Sequence, residues 1–365
     1  MRTALVHDAL CCVGGAERIF KYLCEEFEEA DIYTLCYNPN ETLEFFKCKE
    51  INVTWLDKLI KTPQGLRLSF PIAAAVMKNL DLSKYDFVIS SSASIAKYVS
   101  AKNGKHLSYC YYPTRALWEP EKYFGNSKLG RSLNPFLKYY REKDKKLANR
   151  VDQFIAISND TKKHIKKYYN RSSHVIHCPI ETENFSPSNN KSDYFLLVSR
   201  LLKWKRVDYA VKAFNELGLP LKIIGTGEEE EYLRSIAKSN IEFLGFVDDK
   251  QLTVEYSKAR AVIFTPLLEY GLIPLEANAS GTPVIAYGYA GVTETMVPYN
   301  SEEGMNQQSP TAVFFYEQSK EALIEAVKVF EEVDFVSEDL VEHASKWNVK
   351  SFKTKFRTYT SNYFD

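Results

Sequence analysis

The chain has 365 residues, 45% of them hydrophobic and 26% charged, with Lys plus Arg equal to Asp plus Glu at 47 each. That length suits two ordinary domains with sizeable apolar cores, and the balanced charge gives no global footprint for nucleic-acid binding. MRTALVHDAL reads as a strand rather than a charged-then-apolar leader, FPIAAAVM (70–77) is far too short to span a bilayer, and seven scattered cysteines without a CxxC pair read as reduced cytosolic thiols.

In chain order the strand candidates of the first half are 2–8, 31–37, 52–56, 86–92, 106–112 and 153–158. Those of the second half are 194–201, 221–225, 241–246, 261–266, 283–288 and 312–317. Most are short apolar or β-branched runs without alternation, the pattern of buried parallel strands. Helical segments such as RVDYAVKAFNEL (206–217) separate them, so the class is α/β with two doubly wound, Rossmann-like domains. The Pro-, Ser- and Asn-rich stretch HCPIETENFSPSNNKSD (177–193) reads as the linker. The expected division is 1–178, 179–346 and a terminal helix, 347–365, packing back on the first domain. Ligands of such sheets bind beyond the carboxyl ends of the strands, so the two domains are expected to face each other across a cleft.

Several turns at strand ends carry candidate chemistry. VGGAERIF (13–20) follows the first strand and opens a helix; Gly14 and Gly15 let backbone approach an anion there, or form an ordinary tight turn. It lacks the GxGxxG pattern of a dinucleotide site. His7 ends the first strand, as a site residue or a buried, satisfied histidine. YCYYPTRALW (109–118) is an aromatic loop with one arginine. ISND (157–160) is expected to cap the next helix through Asn159 and Asp160, and EKDKKLANR (142–150) to be a solvated helix face. In SRLLKWKRVD (199–208), Arg200 and Lys205 are two cations at a strand end, suited to a departing diphosphate or to a plain basic loop. GTGEEEE (225–231) is taken as a helix opening favoured by the macrodipole. In LLEYGLIPLEANASG (267–281), Glu269 and Glu276 bracket a strand-to-helix turn, with the helix opening near Pro274. Neither the histidines nor Cys11 and Cys12 show metal-ligand spacing, so no metal site is expected.

Taken together, VHDAL with GGAE (6–17), YDFVISSS (85–92), YCYYPTR (109–115), RVDQFIAIS (150–158), PIETENFSP (179–187), SRLLKWKRVDYAVKAFNELG (199–218), GFVDD (245–249) and YGLIPLEANASGTPVIAYGYAG (270–291) resemble the retaining family-four glycosyltransferases of the two-domain GT-B fold, nearest to the subgroup with O-antigen mannosyltransferases. The resemblance implies transfer of a hexose from a nucleotide-diphosphate sugar, GDP-linked by subgroup, to a glycan or lipid-linked glycan, with no metal or other cofactor. It implies Arg200 and Lys205 on the diphosphate and Glu276 on the ribose as the catalytic set. Donor contacts are implied for Gly14, Gly15, Ser199, Gly245, Phe246, Val247, Glu269, Tyr270, Gly271, Leu272 and Ile273. His7, Tyr111 and Arg115 are implied to face the acceptor or the transferred sugar. Two positions depart from the pattern: Leu268 stands where the family has its first glutamate, with Glu269 one residue late, and Tyr111 stands where the subgroup has histidine. A degenerate nucleotide-sugar-binding protein is the alternative. LDKLIKTPQGLRLSFPIAAAVMKNL (56–80) mixes basic and apolar residues in the manner of a bilayer-interface segment, or of a helix pair walling the acceptor.

Overall fold

A computed structural model of the chain describes residues 1–120, 134–188, 190–300 and 309–364. The chain divides into two compact units, Met1–His177 with Phe352–Asp365, and Cys178–Ser351.

The first unit holds a parallel sheet of β1 (Thr3–His7), β2 (Asp31–Thr34), β3 (Ile51–Val53), β4 (Phe87–Ser92), β5 (Lys105–Cys110), β6 (Gln153–Ala156) and β7 (Ser173–Val175), in the order β3-β2-β1-β4-β5-β6-β7. The second holds β8 (Phe195–Val198), β9 (Leu221–Ile224), β10 (Ile241–Gly245), β11 (Val262–Phe264), β12 (Val284–Tyr287) and β13 (Ala312–Phe315), in the order β10-β9-β8-β11-β12-β13. In each sheet the strand order reverses once, between β1 and β4 and between β8 and β11. Such switch points leave a crevice beyond the carboxyl ends, because the helices on either side run to opposite faces.

Successive side chains of a strand point to opposite faces, and both faces of the second sheet are covered. Phe195, Leu197, Ile263 and Ile285 pack in one apolar cluster, whereas Leu196, Val262, Phe264, Val284 and Ala286 pack in another. A strand buried on both sides needs apolar residues at every position, hence its continuous runs. All twelve predicted strands are present. The extra one, β7, is a three-residue edge strand with an exposed centre, so it lacks an apolar run. The segment expected as a strand at 52–56 pairs only to Val53 and then winds into a turn at Trp55–Lys58.

The helix Val349–Phe364 returns to the first unit. There Phe352 and Phe356 pack edge-on against Tyr109, and Phe356 also meets Phe27. Lys353 and Arg357 pair with Glu25 and Glu26.

Two local expectations are corrected. The helix Asn159–Tyr169 is capped by Ser158, whose hydroxyl accepts from the Thr161 amide at 3.0 Å. Asn159 and Asp160 lie inside its first turn, where the extended backbone a cap requires is found at Ser158 instead. The basic run from 142 does leave Glu142, Lys143, Lys145 and Lys146 exposed, but Asp144 is fully buried. Its carboxylate accepts from Tyr98 at 2.6 Å, Tyr169 at 2.9 Å and Thr114 at 3.1 Å, and from the Trp118 indole. Lys97, 0% exposed, lies 3.5 Å away and donates to Thr114 at 2.8 Å. A buried carboxylate persists only with such partners.

Candidate functional site

In the second unit the predicted donor residues come from adjoining strand ends. Ser199 and Arg200 follow β8 directly, and Arg200 is exposed. The chain then makes a short turn, Lys203–Lys205, before the helix Val207–Leu217. Lys205 lies over the Trp204 ring at 4.4 Å. Its carbonyl accepts from the hydroxyl of Thr265, at the end of β11, at 2.8 Å. Gln318 in turn donates to the Thr265 carbonyl at 3.1 Å. This bond crosses the switch point, fixing the loop after β8 to the strand that leads to the glutamate turn.

That turn carries Leu268, Glu269 and Tyr270 into the helix Leu272–Ala279, capped by Gly271 and opening two residues before Pro274. The Leu268 side chain packs against the unit's core, along with Tyr270, Leu272 and Ile273, and its carbonyl accepts from the Gly291 amide at 3.0 Å. Gly291 must be glycine, because a Cβ there would lie 2.2 Å from the Glu269 carbonyl. Tyr270 donates to the Cys178 carbonyl at 2.8 Å. Glu276 is half-buried in the helix, and the hydroxyl of Tyr256 donates to its Oε2 at 2.9 Å. Burial first, and the Glu276 carboxylate second, push the Tyr256 hydroxyl well above its ordinary range, so it stays a donor and orients that carboxylate.

On the other side of β8, β9 ends at Ile224, just before Gly225, and β10 ends at Gly245. The Gly225 amide donates to the Gly245 carbonyl at 2.8 Å, and a Cβ on Gly225 would lie 1.9 Å from the Ser199 carbonyl. Phe246, 84% exposed, stands out beyond this edge, and Val247 turns back to the core. The end of β10 and the segments that follow β10, β8 and β11, with the helix Leu272–Ala279, thus carry every residue assigned to the donor in this unit.

In the first unit, Gly14 caps the helix Gly15–Glu26 with extended backbone and no side-chain bond. His7, at the end of β1, is buried; its Nδ1 lies 3.0 Å from the Ser91 hydroxyl at the end of β4. Ser91 lies 2.9 Å from the Tyr111 hydroxyl, which donates to the Ala16 carbonyl at 3.0 Å. His7 Nε2 lies 3.6 Å from Glu17 Oε1. Burial pushes the Glu17 carboxyl up, but the His7 imidazole, the helix backbone and Cys12 together hold it below the usual carboxylate range. Arg115 stacks its guanidinium over the Tyr112 ring at 4.7 Å. The glycine turn, His7 and Tyr111 are therefore one bonded group at the first switch point, while Arg115 stands on the aromatic loop beyond β5.

Residues 13–184 match Glycosyltransferase Family 4, and residues 179–347 match Glycosyl transferases group 1. The chain belongs to the glycosyltransferases. It is 23% identical to the alpha-1,3/1,6-mannosyltransferase ALG2 of Candida glabrata, over 85% of this chain and 81% of that one. It is 28% identical to the O-antigen chain mannosyltransferase RfbU of Salmonella typhimurium, over 40% of this chain and 45% of that one. Among solved structures, the sucrose-phosphate synthase of Thermosynechococcus elongatus superposes with a TM-score of 0.73 at 15% identity, covering 100% and 99% of the two chains. Anabaena HepE in complex with UDP and glucose superposes at 0.67 with 16% identity, covering 99% of each. These solved structures are GT-B glycosyltransferases and share the two-domain fold.

In this glycosyltransferase Gly225 and Gly227 were read from the sequence only as part of a helix opening, and Asp8 was not singled out. Gly225 and Gly227 pack their backbone on Ser199 and Leu201, so the GTG stretch is a close-approach turn supporting Arg200 before it is a helix opening. Its glycine spacing was the available signal. Asp8 accepts from the amides of Ala93, Ser94, Ile95 and Ala96 at 2.6–2.9 Å, fixing the turn after β4. An aspartate directly after a buried strand was the signal there. Among the described residues, no group of three or more His, Cys, Asp or Glu is placed to hold a metal, and no helix is long and apolar enough to cross a membrane.

Proposed function

We propose that this glycosyltransferase moves a mannose-type hexose, with retention, from a GDP-linked donor to a glycan or lipid-linked glycan in surface polysaccharide synthesis. The observation that carries the donor reading is the switch point of the second sheet. Cations Arg200 and Lys205 stand on one side and the Tyr256-held carboxylate of Glu276 on the other, tied together through Thr265. Arg200 and Lys205 neutralise the departing diphosphate in place of a metal. Glu276 accepts from the ribose hydroxyls, and the backbone at Gly245–Val247 meets the base. The helix amides at Gly271–Ile273, with Glu269 and Tyr270 beside them, line the sugar and phosphates. Gly14 and Gly15 add backbone donors, and His7, Tyr111 and Arg115 belong to the acceptor side.

In this scheme the leaving phosphate oxygen takes the acceptor's proton as the sugar passes through an oxocarbenium-like state, so no protein carboxylate serves as base. Leu268, packed in the core, is then compatible with turnover. The likeness to ALG2 and RfbU, both named as mannosyltransferases, supports the sugar assignment. Exposed Trp55, Leu59, Leu68 and Ile72, interspersed with exposed Lys58, Lys61 and Lys78, support peripheral contact with an anionic membrane from the cytoplasmic side.

The reading is tested by incubating the protein with GDP-mannose, GDP-fucose, UDP-glucose or dTDP-rhamnose and a lipid-linked glycan, with and without chelator. Transfer or slow hydrolysis from GDP-mannose, unaffected by chelator and with the anomeric configuration kept, is expected. Binding of a donor with neither reaction overturns the enzyme reading. Flotation on phosphatidylglycerol vesicles, expected to weaken in Leu68→Glu, tests the membrane contact.

A further inference from the structure

The line of groups at the first switch point has a direction, and one end sets it. The Ala16 carbonyl only accepts, so the single hydroxyl hydrogen of Tyr111 goes to it across 3.0 Å. Tyr111 then meets Ser91 as an acceptor, and Ser91 donates across 2.9 Å. The one hydrogen of Ser91 is thereby committed, so across the next 3.0 Å His7 Nδ1 is the donor. A backbone carbonyl thus fixes the tautomer of a histidine two side chains away.

His7 Nε2 faces Glu17 Oε1 at 3.6 Å. A ring protonated on Nδ1 alone would turn the Nε2 lone pair toward that carboxylate. One further proton, on Nε2 beside the carboxylate, removes that opposition. We infer that His7 and Glu17 jointly hold one proton, and that Ser91 and Tyr111 are positioning residues that keep it there and so anchor the Gly14–Glu17 turn to the ends of β1, β4 and β5.

The groups around the pair fit this reading. Cys12 donates its thiol hydrogen to Glu17 Oε1 at 3.5 Å, from the turn itself. Asp8, next to His7, is engaged by four backbone amides. Cys11 keeps its proton, its thiol pushed far up by its bond to Cys36 and by burial. From the helix Gly15–Glu26 the Phe20 ring stacks on the imidazole at 4.6 Å, and from β4 only Ser91 faces it among the bonds described. Loss of the proton to water leaves two choices. The ring keeps Nδ1–H and opposes the carboxylate, or it moves the hydrogen to Nε2 and takes the Ser91 hydrogen away from Tyr111. Either choice weakens the hold on Ala16, so the turn loosens as pH rises.

The test uses the full chain labelled with nitrogen-15 histidine, the His7 signals being assigned by their loss in His7→Asn. Expected in the wild type is a ring protonated on Nδ1 that becomes doubly protonated or faces a protonated Glu17 as pH falls. A fall in the amide protection factors at Gly15–Glu17, beyond the intrinsic base-catalysed rise in exchange, is expected over the same interval as pH rises. In Tyr111→Phe and Ser91→Ala, which leave the His7–Glu17 pair in place, the Nε2–H tautomer should appear. In Glu17→Gln the amide can donate to Nε2, so the ring should stay neutral on Nδ1–H and the protection factors of these amides should no longer change with pH. An Nε2–H tautomer in the wild type while the pair still holds its proton overturns the inference, as does an unchanged His7 tautomer in both Tyr111→Phe and Ser91→Ala. None of these readouts requires a donor, so they stand or fall apart from the donor assignment.

Discussion

The Thr265 hydroxyl donates to the Lys205 carbonyl at 2.8 Å, so the strand leading to the glutamate turn also holds the loop that carries a cation. Thr265 is only 2% exposed. Thr265→Val keeps the shape and removes the donor, leaving a carbonyl short of a partner. A stability loss of about 1 kcal/mol is expected, with weaker GDP binding from a looser Lys205. Urea denaturation and calorimetric titration with GDP check the two parts.

Arg200→Ala and Lys205→Ala should each lower transfer by roughly 100-fold or more, the scale of losing a preorganised charge partner at a leaving group. Arg200 is exposed, so the fold should be intact in that variant by circular dichroism. Near-normal turnover in either variant would remove the donor assignment.

Glu269 and Glu276 bracket one turn but differ in support. Glu276 is oriented by Tyr256 at 2.9 Å, whereas the Glu269 carbonyl lies close against Gly291, whose amide donates to the Leu268 carbonyl. Glu276→Gln should therefore weaken nucleoside diphosphate binding about tenfold, for loss of roughly 1.4 kcal/mol of charge-assisted hydrogen bonding. Glu269→Gln should leave GDP affinity within about twofold and act, if at all, on sugar transfer. Thermal shift with GDP against GDP-mannose separates the two.

Asp144 and Lys97 form a fully buried pair. Asp144→Ala strands the lysine charge along with the Tyr98, Tyr169 and Trp118 donors, and should cost about 3–5 kcal/mol. Adding Lys97→Met should restore part of that loss by removing the stranded charge. Both values follow from denaturant midpoints.

His106 is completely buried, with Nε2 on Ser90 at 2.9 Å. Burial pushes it down from 6.5 to about 4, against the opposing pull of Asp152. The unfolded chain therefore binds the proton first as pH falls. Stability is full above 6.5 and declines toward 4, by roughly 3 kcal/mol in total for a shift of this size. His174 and His343 are also held down by burial and add to the decline, while His164, raised by Asp160 against its burial, opposes it. Glu17, held low, adds a further loss below the ordinary carboxylate value of 4.5. His106→Gln should flatten the slope between pH 6.5 and 4, measured by urea denaturation at each pH.

Periodicity and composition were enough to read both parallel sheets, because strands buried on two faces leave no polar position to blur the pattern. β7 escaped that logic, since an edge strand of three residues buries too little to shape its sequence. The glycines, Arg200, Lys205 and Glu276 were visible as residues at strand ends. Their association was not, because it rests on contacts between residues far apart in the chain: Thr265 with Lys205, Tyr256 with Glu276, Gly291 with the Glu269 turn. Lone charges misled for the same reason. Asp144 sits in a run of lysines that local pattern assigns to solvent, and only its packing against Lys97, Tyr98 and Trp118 turns it inward. Local sequence specifies which face of an element is apolar; which polar groups meet across a switch point is settled by the tertiary fold, since burial makes each of them find a partner wherever in the chain it lies.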